Sequence, residues 1–187
     1  MFDYVMTLAA VIIGLAVAHL MQGLAGLIEE PGRGKIWWVH LVWVAYMLIT
    51  SAFWWWFEYP LHNKPEWTFA VYAFVLVYAF LIYLAAAVLF PRRLRGFHSY
   101  EEYFLARRGW FFGLLFLFIL IDPIDSALKG RAHLESLGAE YWIAIIAVDL
   151  LAIVGIVTPR KAVQGAIAVL ALVYQISWIA RLFETVH

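Results

Sequence analysis

Asp149 lies in the middle of the apolar run WIAIIAVDLLAIVGIV, residues 142–157, with no other charge near it. A carboxylate at that depth of a membrane helix costs about 2.5–3.5 kcal/mol on insertion scales, so an ionisable group there is read first as a functional site. Three further polar residues fall inside apolar runs: His19 and Gln22 in the first, Gln175 in the last. At a rise of ~1.5 Å per residue, His19 and Asp149 differ by only a few ångströms in depth, and Gln175 is close to both. A histidine beside a carboxylate titrates near neutral pH, which is the chemistry of a proton relay. Asp149, His19, Gln175 and Gln22 are therefore expected to form an ion- or proton-binding polar cluster, with Tyr46, Thr50 and Ser51 near it. The competing reading is a hydrogen-bonded pair, His19 with Asp149, that only ties the first span to the fifth.

A second set lies near the opposite surface. Asp122 and Asp125 close the fourth apolar run and Arg181 closes the sixth, at matching depth, which suggests an outer gate or ion pair. In Asp122-Pro123-Ile124-Asp125, Pro123 either kinks a continuing helix or starts a new surface helix capped by Asp122. The end of apolarity at this point favours the new helix. A third set, Arg92, Arg93, Arg95, Arg107 and Arg108, is placed to meet anionic lipid headgroups.

Other chemistry finds little support. Cysteine is absent, which excludes disulfides, thiol catalysis and thiolate metal sites. There is no HExxH and no GxSxG, and Glu29-Glu30 and Glu101-Glu102 read as solvated or capping residues, so an enzyme is not expected. His19 and His40 differ in depth, which disfavours haem between them, and no cofactor is expected. Formal net charge is zero, so nucleic-acid binding has no electrostatic basis.

The elements that must position these groups are transmembrane helices. The chain is 66% hydrophobic and only 14% charged over 187 residues, against roughly half and a quarter for soluble domains. A span needs about 20 apolar residues. Six spans are predicted, at about 4–28, 36–57, 67–90, 104–121, 141–157 and 162–183, making one all-α bundle with short loops. The first run is long enough to span and carries Asp3 where a secretory signal carries basic residues. Pro31, Pro60, Pro65, Pro91 and Pro159 punctuate the connections. Most tryptophans fall near span ends, as aromatic belts do. Ser99-Tyr100-Glu101-Glu102 matches a capping box, so the fourth span is expected to begin as a cytoplasmic interfacial helix.

Basic residues set the direction. Arg33, Lys35, Arg92, Arg93, Arg95, Arg107, Arg108, Arg160 and Lys161 fall on one side; Lys64, Lys129, Arg131 and Arg181 fall on the other. The richer side is cytoplasmic by the positive-inside rule, which puts both termini outside the cell (inner) membrane. Six spans hint at a weak 3+3 inverted repeat. Ala10, Gly14, Ala18, Gln22 and Gly26 recur every four residues, a smooth ridge that predicts a central first span.

In outline, six short-looped helices with a polar first span resemble bacterial relatives of the lysosomal potassium channels. The Phe-Ser-Asp motif of that family is absent from this first span, so the resemblance assigns no residue a role. The expectation is a small channel or transporter for protons, cations or a small solute, acting as a homo-oligomer or within a larger complex in the bilayer. The alternatives are a structural subunit of a membrane complex and a lipid- or quinone-binding protein, the latter suggested by the aromatic-rich second, third and fourth spans.

Overall fold

A computed structural model describes residues 1–30, 34–91, 93–94 and 96–184, with side chains as far as Arg181. Its long helices are α1 (Phe2–Glu29), α2 (Trp38–Glu58), α3 (Phe69–Leu89), α4 (Tyr100–Leu128), α6 (Gly138–Val157) and α7 (Lys161–Glu184). A short α5 (Arg131–Ser136) and a 3-10 turn at Tyr59–Asn63 lie in the connections. Six helices are long and apolar enough to cross a membrane, so the chain is an all-α, multi-pass membrane bundle. Helices suit lipid because each satisfies its own backbone hydrogen bonds.

Local sequence explains the ends. Thr68 caps α3 by accepting the Val71 N–H, and Ser99 caps α4 by accepting the Glu102 N–H. Glu102 in turn accepts the backbone N–H of His98, so the capping box forms with its return bond one residue before the cap. Lys35 and Ser99 form a bridge at this end, and Lys161 pairs with Glu101 at 2.6 Å. At the other end the Phe2 ring meets His62 and Trp67. The N-terminus, the α2–α3 turn and the α4–α6 connection therefore share one end of the bundle. Three other connections share the opposite end.

The inner helix is α2, not α1. It touches α1, α3, α4 and α7, and its Trp43 is fully buried against the rings of Tyr46, Phe111 and Phe112. The remaining helices follow the order α1, α3, α4, α6, α7 around it. Most of the ridge expected to make α1 central instead faces outward: Gly14, Ala18 and Gln22 are exposed, Ala10 is half-buried and Gly26 alone is buried, while the opposite face, with Ala9, Ile13 and Ala16, is buried on α3 and α2. The packing also lacks the symmetry of an inverted repeat. In the first half α1 closes on α3, whereas in the second α4 closes on α6 and α7 goes to α2.

Candidate functional site

The half of the bundle toward the N-terminal end of α1 holds a half-open cavity of about 410 Å³ between α2, α4, α6 and α7. Helical periodicity builds its walls. Tyr46, Thr50, Trp54 and Glu58 follow one another at four-residue spacing along the cavity face of α2. Asp122, Asp125, Ser126 and Lys129 make the matching face of α4. Tyr141 comes from α6, and Gln175 and Trp178 come from α7.

Charge concentrates at the mouth of this cavity, beside the ends of α2 and α4. Lys129, the residue after α4, sends Nζ to Glu58 Oε1 at 3.3 Å and to the Asp125 carboxylate. All three side chains are almost fully buried. Burial alone would lower the lysine pKa; Glu58 and then Asp125 outweigh it and hold Lys129 above its ordinary value, as an ammonium. Deeper in, Asp122 accepts from the Tyr78 hydroxyl at 2.5 Å and from the Tyr141 hydroxyl at 2.7 Å. Tyr141 also lies 3.2 Å from Ser126 Oγ.

The cluster is not balanced. Three carboxyl groups, Glu58, Asp122 and Asp125, face one ammonium. Glu58 Oε2 and Asp125 Oδ1 are buried and find no donor among the other described residues, while the two carboxyl groups are close enough to share a proton. Trp54 Nε1–H and Gln175 Oε1, on the same walls, are likewise unsatisfied there. Buried polar atoms cost about 1–3 kcal/mol when left unpaired, so such a concentration calls for protons, water or a polar guest.

The structure redistributes the residues singled out by the sequence. Asp149 is buried at 9% exposure on the α4-facing side of α6, but its Oδ1 has no partner among the described residues. The pairing with His19 does not form. His19 is on α1, which packs on α3 and α2, whereas α6 packs on α4 and α7. His19 Nε2 instead meets the Phe90 carbonyl at 2.9 Å, and His40 Nε2 meets the neighbouring Leu89 carbonyl at 2.8 Å. The two histidines thus take carbonyls at the end of α3, where Pro91 stops the helix and no backbone donor follows. His40 is fully buried and stacks on Tyr100. Gln175 does reach α2, donating to Thr50 Oγ1 at 2.7 Å. Gln22 is exposed on the outer face of α1, outside any cluster.

The outer set also changes. Arg181 makes a two-pronged pair with Glu140 at 2.6 and 2.7 Å and lies over the Trp178 ring; it is not the partner of Asp122 or Asp125. No new helix starts at Pro123. Helix α4 runs through it to Leu128, because the polar residues there face a buried cluster and do not mark the bilayer surface. Pro123 has no N–H to give the Ile119 carbonyl, and Ile119 lines the cavity. Of the basic set, Arg92 and Arg95 lie outside the described residues, and Arg93 and Arg107 are exposed. Arg108 turns inward and donates to the carbonyls of Ile156 and Leu105, closing the end of α6.

Sequence reasoning missed Glu58, Tyr78, Lys129 and Tyr141. A signal existed: Glu58 and Lys129 end their spans at the same depth as Asp125, and Lys129 is four residues from it. Nothing in the spacing of Tyr78 distinguishes it from other aromatic residues of α3.

No protein-family model matches the chain, and no curated protein or solved structure is significantly similar to it.

Proposed function

We propose that this protein is a small membrane transporter whose binding site for a proton, cation or small cationic solute is the acidic cavity at the outer end of the bundle. The observation that carries the proposal is the buried excess of carboxyl groups around Lys129, with two carboxylate oxygens lacking donors. An ionisable cluster inside a membrane bundle, facing a cavity, is the arrangement by which pumps and carriers hold charge. Six described basic residues at the other end of the bundle, Lys35, Arg93, Arg107, Arg108, Arg160 and Lys161, support placing this cavity on the non-cytoplasmic face of the cell membrane, with both termini.

The inner half argues for a carrier over an open pore. Immediately below Tyr46 the bundle is filled by the mutually packed rings of Trp43, Phe104, Phe111 and Phe112. Passage needs these rings to move, which is the behaviour of an alternating-access carrier. In proteoliposomes, cation or proton flux is expected in the wild type and lost in Glu58→Gln. Flux unchanged by that substitution overturns the proposal.

A second reading, a subunit of a larger complex or a homo-oligomer, draws on Asp149. Its carboxyl is buried without a polar partner among the described residues, and a cation from another chain could supply one. Isolation of a stable complex that Asp149→Asn disrupts is the outcome this reading requires.

A further inference from the structure

We infer that the cavity takes a primary organic ammonium with an aromatic or apolar body, its nitrogen entering the carboxylate cluster now served by Lys129. The inference rests on the transport reading above and names its substrate class.

Lys129 shows what the polar end of the cavity accepts. An ammonium nitrogen on a flexible alkyl stem is held between Glu58 and Asp125 with almost no exposure. That set of acceptors is not exhausted. Beyond a proton that the two carboxyl groups can share, Glu58 Oε2 and Asp125 Oδ1 find no donor among the described residues, and each belongs to a residue 1% exposed on the cavity wall. With Lys129 withdrawn, Glu58 Oε1 and Asp125 Oδ2 join them, so the pair can accept several N–H donors at once. A primary ammonium carries three donors, whereas a quaternary one carries none. Asp122, one turn deeper, is already served by two tyrosine hydroxyls and adds negative field without needing a further donor.

The rest of the cavity suits the body of such a molecule. Tyr46, Trp54, Phe118 and Trp178 contribute aromatic surface along the path from the carboxylates into the bundle. Apolar walls with a few convergent polar groups are the ordinary make-up of small-molecule sites, and about 410 Å³ is within their usual range. Aromatic rings also attract an ammonium through their faces. Lys129 is then a tethered competitor. It sits at the C-cap of α4, directly before Gly130, whose φ of 115° marks a sharp change of chain direction. Withdrawing its side chain opens the acceptors without unwinding a helix.

Calorimetric titration of the full-length protein in lipid nanodiscs tests this with three probes that share a phenylethyl body. These are 2-phenylethylammonium, its N,N,N-trimethyl analogue and the neutral 2-phenylethanol. The primary ammonium is expected to bind at least about tenfold more tightly than either analogue, the consequence of losing charge-assisted hydrogen bonds. Glu58→Gln is expected to remove that preference, and Lys129→Gln to raise affinity for the ammonium by removing its competitor. Should Lys129→Gln not fold, the three-probe ranking on the wild type still decides. Equal affinity for all three probes overturns the inference, since it describes an apolar cavity only; absence of binding overturns it as well. If ammonium binding is absent yet Glu58-dependent proton or sodium flux persists in proteoliposomes, the substrate class falls and the transport reading stands. Loss of both removes both.

Discussion

Lys129 and Glu58 are 71 residues apart in sequence, yet their side chains meet at 3.3 Å inside the bundle. The contact fixes the C-terminal end of α2 to that of α4, and Asp125 on α4 completes it. Lys64 reinforces the same corner by donating to the Leu128 carbonyl at 3.4 Å.

Removing the lysine leaves Glu58 and Asp125 buried without their cation. Breaking a buried pair on one side costs about 3–5 kcal/mol, because the surviving charge is uncompensated. Lys129→Met is expected to lower the thermal midpoint in detergent strongly, and Lys129→Met combined with Glu58→Gln to recover part of the loss. Two equal and additive decreases would show that the residues are not coupled.

Two glycines of α1 are expected to behave oppositely. A Cβ on Gly23 would lie 2.2 Å from the Phe90 ring, where the chain leaves α3 and His19 holds the Phe90 carbonyl. A Cβ on Gly14 meets nothing within 4 Å. Gly23→Ala is expected to destabilise by about 1–3 kcal/mol through overpacking. Gly14→Ala is expected to be neutral or slightly stabilising, since alanine is the better helix former. Thermal unfolding of the two variants side by side makes the comparison, and equal behaviour counts against the α1–α3 packing.

His133, beside the cavity and outside the spans, gives a pH dependence. Burial, then Lys129, pulls its pKa below the ordinary value of 6.5, against an opposing pull from Asp122. A histidine depressed in the fold is held neutral there. As pH falls through 6.5 the unfolded chain gains a proton that the folded chain refuses, so stability drops until the folded pKa is reached, and is constant below it. Wild type is therefore expected to lose stability relative to His133→Asn as pH falls from roughly 7 towards 5. A difference between the two that does not vary with pH contradicts this placement.

Asp149 carries a stability prediction of its own. With its Oδ1 unpartnered and buried, the carboxyl contributes nothing to holding α6 on α4. Asp149→Leu is expected to raise stability by about 1–3 kcal/mol, the cost of burying an unpaired polar group. A marked loss of stability would reveal a polar partner, within the bundle or from another chain.

The architecture was legible because it depends on run lengths. Span ends, the Thr158–Lys161 turn and the Ser99 cap all follow from local residues, and α4 differed only where inward-facing polar residues looked like a surface. Depth was legible too: Gln175 does meet Thr50. What depth cannot supply is which helices are neighbours. His19 and Asp149 lie at similar depth on helices that pack on different partners, so the expected pair does not form. Arg181 was at the right height for Asp122, but Glu140 is on the adjacent helix end and took it. Glu58 escaped notice because it follows five aromatic residues at a span end and reads as interfacial, whereas it is 1% exposed.

The most direct test compares two carboxyl substitutions in one flux assay. Proteoliposomes containing wild type, Glu58→Gln or Asp149→Leu are loaded identically, and cation and proton uptake are followed. The outer cavity as the site of transport predicts that Glu58→Gln abolishes uptake and Asp149→Leu leaves it intact. Uptake that survives Glu58→Gln and is lost in Asp149→Leu would contradict it and return the site to the middle of α6.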